Sequence, residues 1–153
     1  MALAGLLHQN AIIPAMRANS KKQLLQELAA KASKLTGLPE REIFDVILQR
    51  ERLGSTGVGN GIAIPHGKLS NLPSIVGIFA RLDAPVDFEA LDDQPVDLVF
   101  LLLAPEGAGA TTEGLSRIAR VLRDHDMVSR IRASDSASAI YTLLSDDTTS
   151  HAA

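Results

Sequence analysis

The run "VDLVFLLLA", residues 96–104, carries a single charged side chain, Asp97, among nine residues. It is far shorter than the ~20 apolar residues that cross a bilayer. Its β-branched and apolar composition predicts a strand. Apolar side chains at both odd and even positions predict that the strand lies centrally in a sheet covered on both faces. Helices must therefore lie above and below it.

The neighbouring segments supply them. "SIVGIFARL", residues 74–82, is a second strand-length run, and "IAI", residues 62–64, is too short for anything else. Between the long strands "DAPVDFEALDDQP" is turn-rich, with room for a short strand at 86–88. Before them, "NSKKQLLQELAAKASKLTG" reads as a helix capped by Asn19 or Ser20. It places Leu24, Leu25, Leu28, Ala32 and Leu35 at helical spacing and is stopped by Gly37. "LPEREIFDVILQRERLG" reads as a second helix, with Pro39 and the acids after it in the first turn. Ile43, Val46 and Ile47 line its inner stripe, Arg50 lies in the last turn and Gly54 ends it. "GSTGVGNG" reads as a loop. The C-terminal part returns to helix. "TTEGLSRIARVLRD" carries Leu115, Ile118, Ala119 and Leu122, and "DSASAIYTLL", capped by Asp135, carries Ala139, Ile140, Leu143 and Leu144. The order of helices, strands and helices predicts one α/β domain over residues 1–145, followed by a polar tail at 146–153.

Composition bounds the chemistry. The 153 residues suit one domain, and aromatic content of 3% leaves the core to Leu, Ile, Val and Ala. A net charge of −3 argues against a nucleic-acid surface. The absence of cysteine removes disulfides, thiol catalysis and cysteine-based zinc sites. No segment predicts membrane insertion, and "MALAGLLHQNAIIPAMR" lacks the basic start of a signal peptide.

The chemically informative stretch is "GNGIAIPHGK", residues 59–68. A Walker loop needs four residues between its first Gly and Gly-Lys, then Ser or Thr. Here five separate Gly61 from Gly67-Lys68, and Leu69 follows. A dinucleotide fingerprint opens a helix, whereas Gly57-Val58-Gly59-Asn60-Gly61 leads into a strand. The histidines His8, His66, His125 and His151 form no close pair for a metal, and there is no G-x-S-x-G elbow. What remains is His66 as a nucleophile. Neutral imidazole has an accessible lone pair near neutral pH, and attack on phosphorus forms a phosphohistidine. Pro65 keeps Ile64 extended and so aims the next residue. Gly59 and Gly61 leave amides open to phosphate oxygens, Ser55 and Thr56 offer hydroxyls, Asn60 an amide and Arg50 a planar cation. Against this stands the plainer view that a histidine after a strand and a glycine-rich turn are a loop edge and nothing more.

"LGSTGVGNGIAIPHGKL", residues 53–69, closely resembles the active-site motif of phosphotransferase-system enzyme IIA proteins of the mannitol/fructose type, and is most similar to their nitrogen-regulatory branch. The likeness extends through "REIFDVILQRERLGSTG" before the motif and "VDFEALDDQPVDLVFLLLAPEGAGA" after it. It implies a three-layer α/β/α sandwich around a mixed, about five-stranded sheet. It implies that His66 accepts a phosphoryl group on Nε2 from a phosphorylated histidine-containing carrier protein, the NPr- or HPr-like donor. Arg50 falls at the family's active-site arginine, and Ser55, Thr56, Gly59, Asn60 and Gly61 fall in its active-site loop. No cofactor or metal is implied. The expected setting is the cytoplasm, and the expected regulatory targets are transporters or sensor kinases.

The family's second active-site histidine, near the start of the helix after "LLLAPEGAGA", is absent. Thr111 stands there, or Thr112 if the gap moves by one. A threonine can donate a hydrogen bond but carries no charge, so phosphorylation is expected to be slower or the phospho-form less stable. Ile62, Ala63, Ile64 and Leu69 read as an apolar docking surface around His66. Two other functions remain open: a sugar-type enzyme IIA handing phosphate to a IIB protein, and a binding module that turns over no phosphate.

Overall fold

The computed structural model describes residues 6–107 and 109–145. The polar tail expected at 146–153 lies outside them. A 3-10 turn, Gln9–Ala11, leads into β1, Ile12–Met16, and two helices follow: α1, Lys21–Thr36, and α2, Glu40–Leu53. Three short strands come next: β2, Gly57–Gly59; β3, Ile62–Ala63; and β4, His66–Leu69. The long strands are β5, Val76–Val86, and β6, Val96–Pro105. The chain then forms α3, Ala110–Leu122; α4, His125–Arg132; and α5, Ala137–Ser145.

The sheet is mixed and six-stranded, in the order β1-β5-β6-β3-β2, with β4 also paired to β6. β6 is antiparallel to β5 and parallel to β3 and β4. Leu98 to Ala104 are fully buried, which makes β6 the central strand that its unbroken apolar run predicts. Phe79 and Phe100 face each other directly across the β5–β6 ladder, their rings edge-on at 5.9 Å.

Strand alternation separates the two outer layers. Gly67 pairs with Leu103, and its α-carbon faces Val46 and Ile47 of α2. The adjacent residue Leu102 points the opposite way and seats Gly114 of α3. A side chain at either glycine would run into these residues, so the two glycines let α2 and α3 approach the sheet from opposite faces. The three-layer α/β/α sandwich expected from the sequence is the fold observed.

The helix ends are set locally. Ser20 caps α1 by accepting the Gln23 N–H at 3.1 Å, while the Gln23 side chain accepts the Asn19 N–H at 2.7 Å. Gly37 closes it at φ +79°. Pro39 sits at the N-cap of α2, one residue before the first turn, with Glu40 and Glu42 inside it.

Several local expectations are corrected. The N-terminal run "IIPAM" is a strand, because it pairs in parallel with β5. β5 continues to Val86, so the residues 86–88 form no separate strand. Three C-terminal helices replace two: Asp124 accepts the Asp126 and Met127 N–H groups and caps α4, whose Met127, Val128 and Ile131 are buried. In α5, Ser136 rather than Asp135 accepts from Ala139, and Ala139 is exposed.

Candidate functional site

β3 and β4 hold a constant register along β6: Ile62 opposes Leu98, Ala63 opposes Val99, and His66 opposes Leu102. They are one extended strand interrupted at Ile64-Pro65. Pro65 has no N–H to give the ladder, and only its carbonyl remains paired, to the Leu102 N–H at 3.0 Å. On the other edge, the Ile64 N–H continues the pairing with β2 and donates to the Thr56 carbonyl at 3.0 Å. His66 therefore begins a strand, where a loop position was expected.

The half-buried imidazole is held at both nitrogens. Nδ1 lies 2.9 Å from the Ile64 carbonyl oxygen, and Nε2 lies 3.1 Å from Arg50 Nε. A carbonyl can only accept and a guanidinium can only donate. The two contacts together fix the neutral tautomer with the proton on Nδ1 and the lone pair on Nε2. Arg50 also donates from Nη1 to the Gly54 carbonyl at 3.0 Å, which anchors the guanidinium across the end of its own helix. Among the described residues no carboxylate pairs with Arg50.

Thr111 lies in the first turn of α3. Gly114, one turn further on the same helix face, sits on Leu102, the register partner of His66. The start of α3 is thus brought to the level of His66. The Thr111 hydroxyl oxygen is buried and has no hydrogen-bond partner among the described residues. A buried hydroxyl without a partner is costly and calls for an explanation.

The remaining sequence candidates are engaged elsewhere. Ser55 donates from its hydroxyl to the Phe88 carbonyl at 2.9 Å and accepts the Gly57 N–H at 3.1 Å. Thr56 is buried, and its hydroxyl donates to Glu51. Gly59 ends β2, and Asn60 and Gly61 form the tight turn into the antiparallel strand β3, with φ of +105°, +58° and +79° in that order. Gly61 precedes His66 by five residues of extended chain, about 16 Å at the usual strand rise. The glycine turn is therefore not brought to the imidazole.

That turn belongs to another cluster. Arg132 Nη2 donates to the Asn60 carbonyl at 2.6 Å and pairs with Asp97 at 2.9 Å. A side chain on Gly61 would strike both partners of that pair, and the positive φ disfavours one independently. Asp92 accepts the Asn60 N–H, which above all holds its carboxyl below the usual range, and the Gln94 N–H, which adds to this. Asp92 therefore favours the folded state at neutral pH, and this contribution fades as pH falls through its depressed pKa.

The expected apolar docking surface is also corrected. Ile62, Ala63, Ile64 and Leu69 are all buried, because their side chains fill the sheet's own core. Among the described residues the large exposed apolar side chains are Leu53, Val58 and Leu91. Sequence reasoning missed Glu51 and the Ile64 carbonyl. The first looks like an ordinary helix-end acid, and the second is a backbone group common to any residue.

The chain belongs to the family described as phosphoenolpyruvate-dependent sugar phosphotransferase system, EIIA 2, whose model matches residues 5–147. It is 62% identical over 145 residues to a nitrogen regulatory protein of Bradyrhizobium diazoefficiens, covering 94% of this chain and 95% of that one. A nitrogen regulatory protein of Escherichia coli K12 is 40% identical over 148 residues, covering 95% and 91%. The crystal structure of nitrogen regulatory protein IIA-Ntr from Neisseria meningitidis superposes with a TM-score of 0.88 at 34% identity, over 95% of this chain and all of that one. The likeness to the nitrogen-regulatory branch read from the sequence is thereby borne out. No helix among the described residues is long and apolar enough to cross a membrane.

Proposed function

We propose that this protein accepts a phosphoryl group on Nε2 of His66 from a phosphorylated histidine carrier protein, and that its targets distinguish the phosphorylated from the free form. The observation that carries the reading is the pair of contacts on the imidazole, which leaves the lone pair on Nε2 and the proton on Nδ1. In the transfer, the Nε2 lone pair attacks phosphorus, the donor's N–P bond breaks, and the donor imidazole leaves with the bonding electrons. The His66 ring gains positive charge as the new N–P bond forms. Nδ1–H stays on the Ile64 carbonyl, a contact that strengthens as that charge develops. Arg50 Nε gives up Nε2 as phosphorus arrives and turns to a phosphoryl oxygen, where a planar guanidinium fits best. No cofactor or metal enters this chemistry.

The phosphoryl group brings close to two negative charges to a half-buried site. Targets such as transporters or sensor kinases would read that charge, acidic surfaces being repelled by it. The relatives described as nitrogen regulatory proteins support this role over transfer to a IIB protein.

The test is incubation with enzyme I, a carrier protein and labelled phosphoenolpyruvate. The expected result is an acid-labile, base-stable label on the wild-type chain. A chain that stays unlabelled is a binding module, and the proposal fails.

Thr111 supports the site from α3. Its unpaired hydroxyl is available to a phosphoryl oxygen, at a cost in the resting protein of about 1–3 kcal/mol. Thr111→Val is therefore expected to act in opposite directions. Chemical denaturation should show a gain of about 1 kcal/mol, while the rate of phosphoryl transfer falls by up to about tenfold. An unchanged rate would remove Thr111 from the site.

A further inference from the structure

Glu51 is out of place at the end of α2. The residue after it is exposed, yet its side chain is only 2% exposed. A carboxylate in the interior is costly unless it is paired and its oxygens are hydrogen-bonded. Three donors serve it. Lys21 Nζ lies 3.0 Å from Oε1, the Thr56 N–H donates to Oε1 at 3.1 Å, and the Thr56 hydroxyl donates to Oε2. Lys21 is itself held over the Phe88 ring, at 4.6 Å from its centroid.

None of these groups bonds to His66, but the bonds continue to it. Thr56, fixed by Glu51 at both its N–H and its hydroxyl, offers its carbonyl to the Ile64 N–H at 3.0 Å. Ile64 in turn offers its carbonyl to His66 Nδ1 at 2.9 Å. The Ile64 N–H lies on the β2 side of the strand, and its bond to the Thr56 carbonyl ties Ile64 to the residue that Glu51 fixes. On the other side of the ring, Arg50 precedes Glu51 in the same helical turn and donates to Nε2. A displacement of this turn would move both contacts of the imidazole together.

We propose that Glu51, braced by Lys21, is a positioning residue that fixes the two hydrogen bonds of His66 through Thr56 and Ile64 on one side and Arg50 on the other. It touches no reacting atom. Its work is to hold Nε2 in the attacking orientation before the donor arrives, and Lys21 offsets its charge so that it does not draw Arg50 away. This rests on the reading of His66 as phosphoryl acceptor.

The experiment uses the full chain as wild type, Glu51→Gln, and the double variant Lys21→Met with Glu51→Gln. The double variant removes the ammonium that the single change leaves with only the exposed Glu89, 3.6 Å away, as its counter-charge. It keeps the packing of the stem, and is expected to restore thermal stability lost in Glu51→Gln. Two quantities are read: the NMR resonance of the His66 Nδ1 proton, and the first-order transfer rate at saturating phosphorylated carrier. In the wild type the proton is expected to be sharp and downfield, sheltered by the Ile64 carbonyl. In both variants it is expected to move upfield and broaden through exchange with water. The transfer rate is expected to fall by about tenfold, with the half-saturating donor concentration unchanged. If the double variant recovers the wild-type rate and proton resonance along with its melting temperature, Glu51 is a stabilising ion-pair partner only, and the proposal is overturned. Should Glu51→Gln fail to fold, the double variant compared with wild type decides between the same two outcomes. If the wild type accepts no phosphate, the assignment of His66 as acceptor falls, while the proton resonance still tests whether Glu51 orders the ring.

Discussion

Replacing His66 with alanine should leave no acid-labile label on the chain after incubation with enzyme I, carrier and labelled phosphoenolpyruvate, at donor concentrations that label the wild type fully. The effect is expected to be complete rather than partial, because the proposed step is the formation of a bond to Nε2 and no neighbouring group among the described residues supplies another nucleophile of that kind. His8 precedes the strand at the far edge of the sheet, and His125 begins α4. Neither shares the contacts with Arg50 and Ile64 that fix the tautomer of His66. Thr111 and Ser55 carry hydroxyls, but a hydroxyl without an adjacent base is a weak nucleophile near neutral pH. The variant should remain folded. The imidazole is half-buried and its two hydrogen bonds are each worth about 1 kcal/mol, so a loss of about 1–2 kcal/mol in chemical denaturation is expected. Label that persists on a folded His66→Ala chain would move the acceptor elsewhere. An unfolded variant would leave His66→Gln, which keeps a polar side chain of similar reach, to carry the comparison.

The parts of this site that the sequence displays are those in which residue type alone implies chemistry. His66 after a proline, and Arg50 in the last turn of a helix, are such cases, and the structure joins them at 3.1 Å. The parts hidden from sequence are those decided by backbone geometry. The acceptor that sets the His66 tautomer is a main-chain carbonyl, and any residue at 64 carries one. Thr56 looks from sequence like a free donor for phosphate, whereas its hydroxyl is consumed by a buried glutamate five residues away. The glycine turn misleads for a related reason. Asn60-Gly61 is a strong signal for a two-residue hairpin, and a hairpin sends its tip away from the end of the strand it feeds. Here that strand runs on through His66, so the tip and the histidine lie at opposite ends of it.

The fold follows the same division. The helices α1, α2, α3 and α5 and the strands β5 and β6 are visible because caps and apolar periodicity act over a few residues. β1 is not, because "IIPAM" has no alternation and becomes a strand only through pairing with residues more than sixty positions later. α4 is short, and five of its eight side chains are polar or charged. Its Asp124 cap and its apolar Met127, Val128 and Ile131 are detectable signals nonetheless.

On the proposed reading, Arg50 sets the rate of transfer to His66. In the resting protein its Nε donates to the lone pair proposed to attack phosphorus, so the contact holds the ring in orientation and also blocks it. An incoming phosphoryl group offers the guanidinium a better partner: oxygens bearing formal negative charge, arranged to take two parallel N–H bonds. In the proposed transfer, the exchange of Nε2 for phosphoryl oxygen would free the nucleophile at the moment its target is in place. Arg50→Gln is expected to lower the first-order transfer rate by about 10²-fold, the usual consequence of losing one preorganised donor to developing charge. Arg50→Lys should recover little of it. An ammonium presents a point charge without the planar fork, and its shorter reach cannot hold both the Gly54 carbonyl and the imidazole. Single-turnover labelling against donor concentration separates the possibilities. A fall in the saturating rate with an unchanged half-saturation point is the expected signature. A wild-type saturating rate with weakened half-saturation would instead make Arg50 a docking residue for the carrier and leave the stabilisation of the phosphoryl group to Thr111 and the backbone.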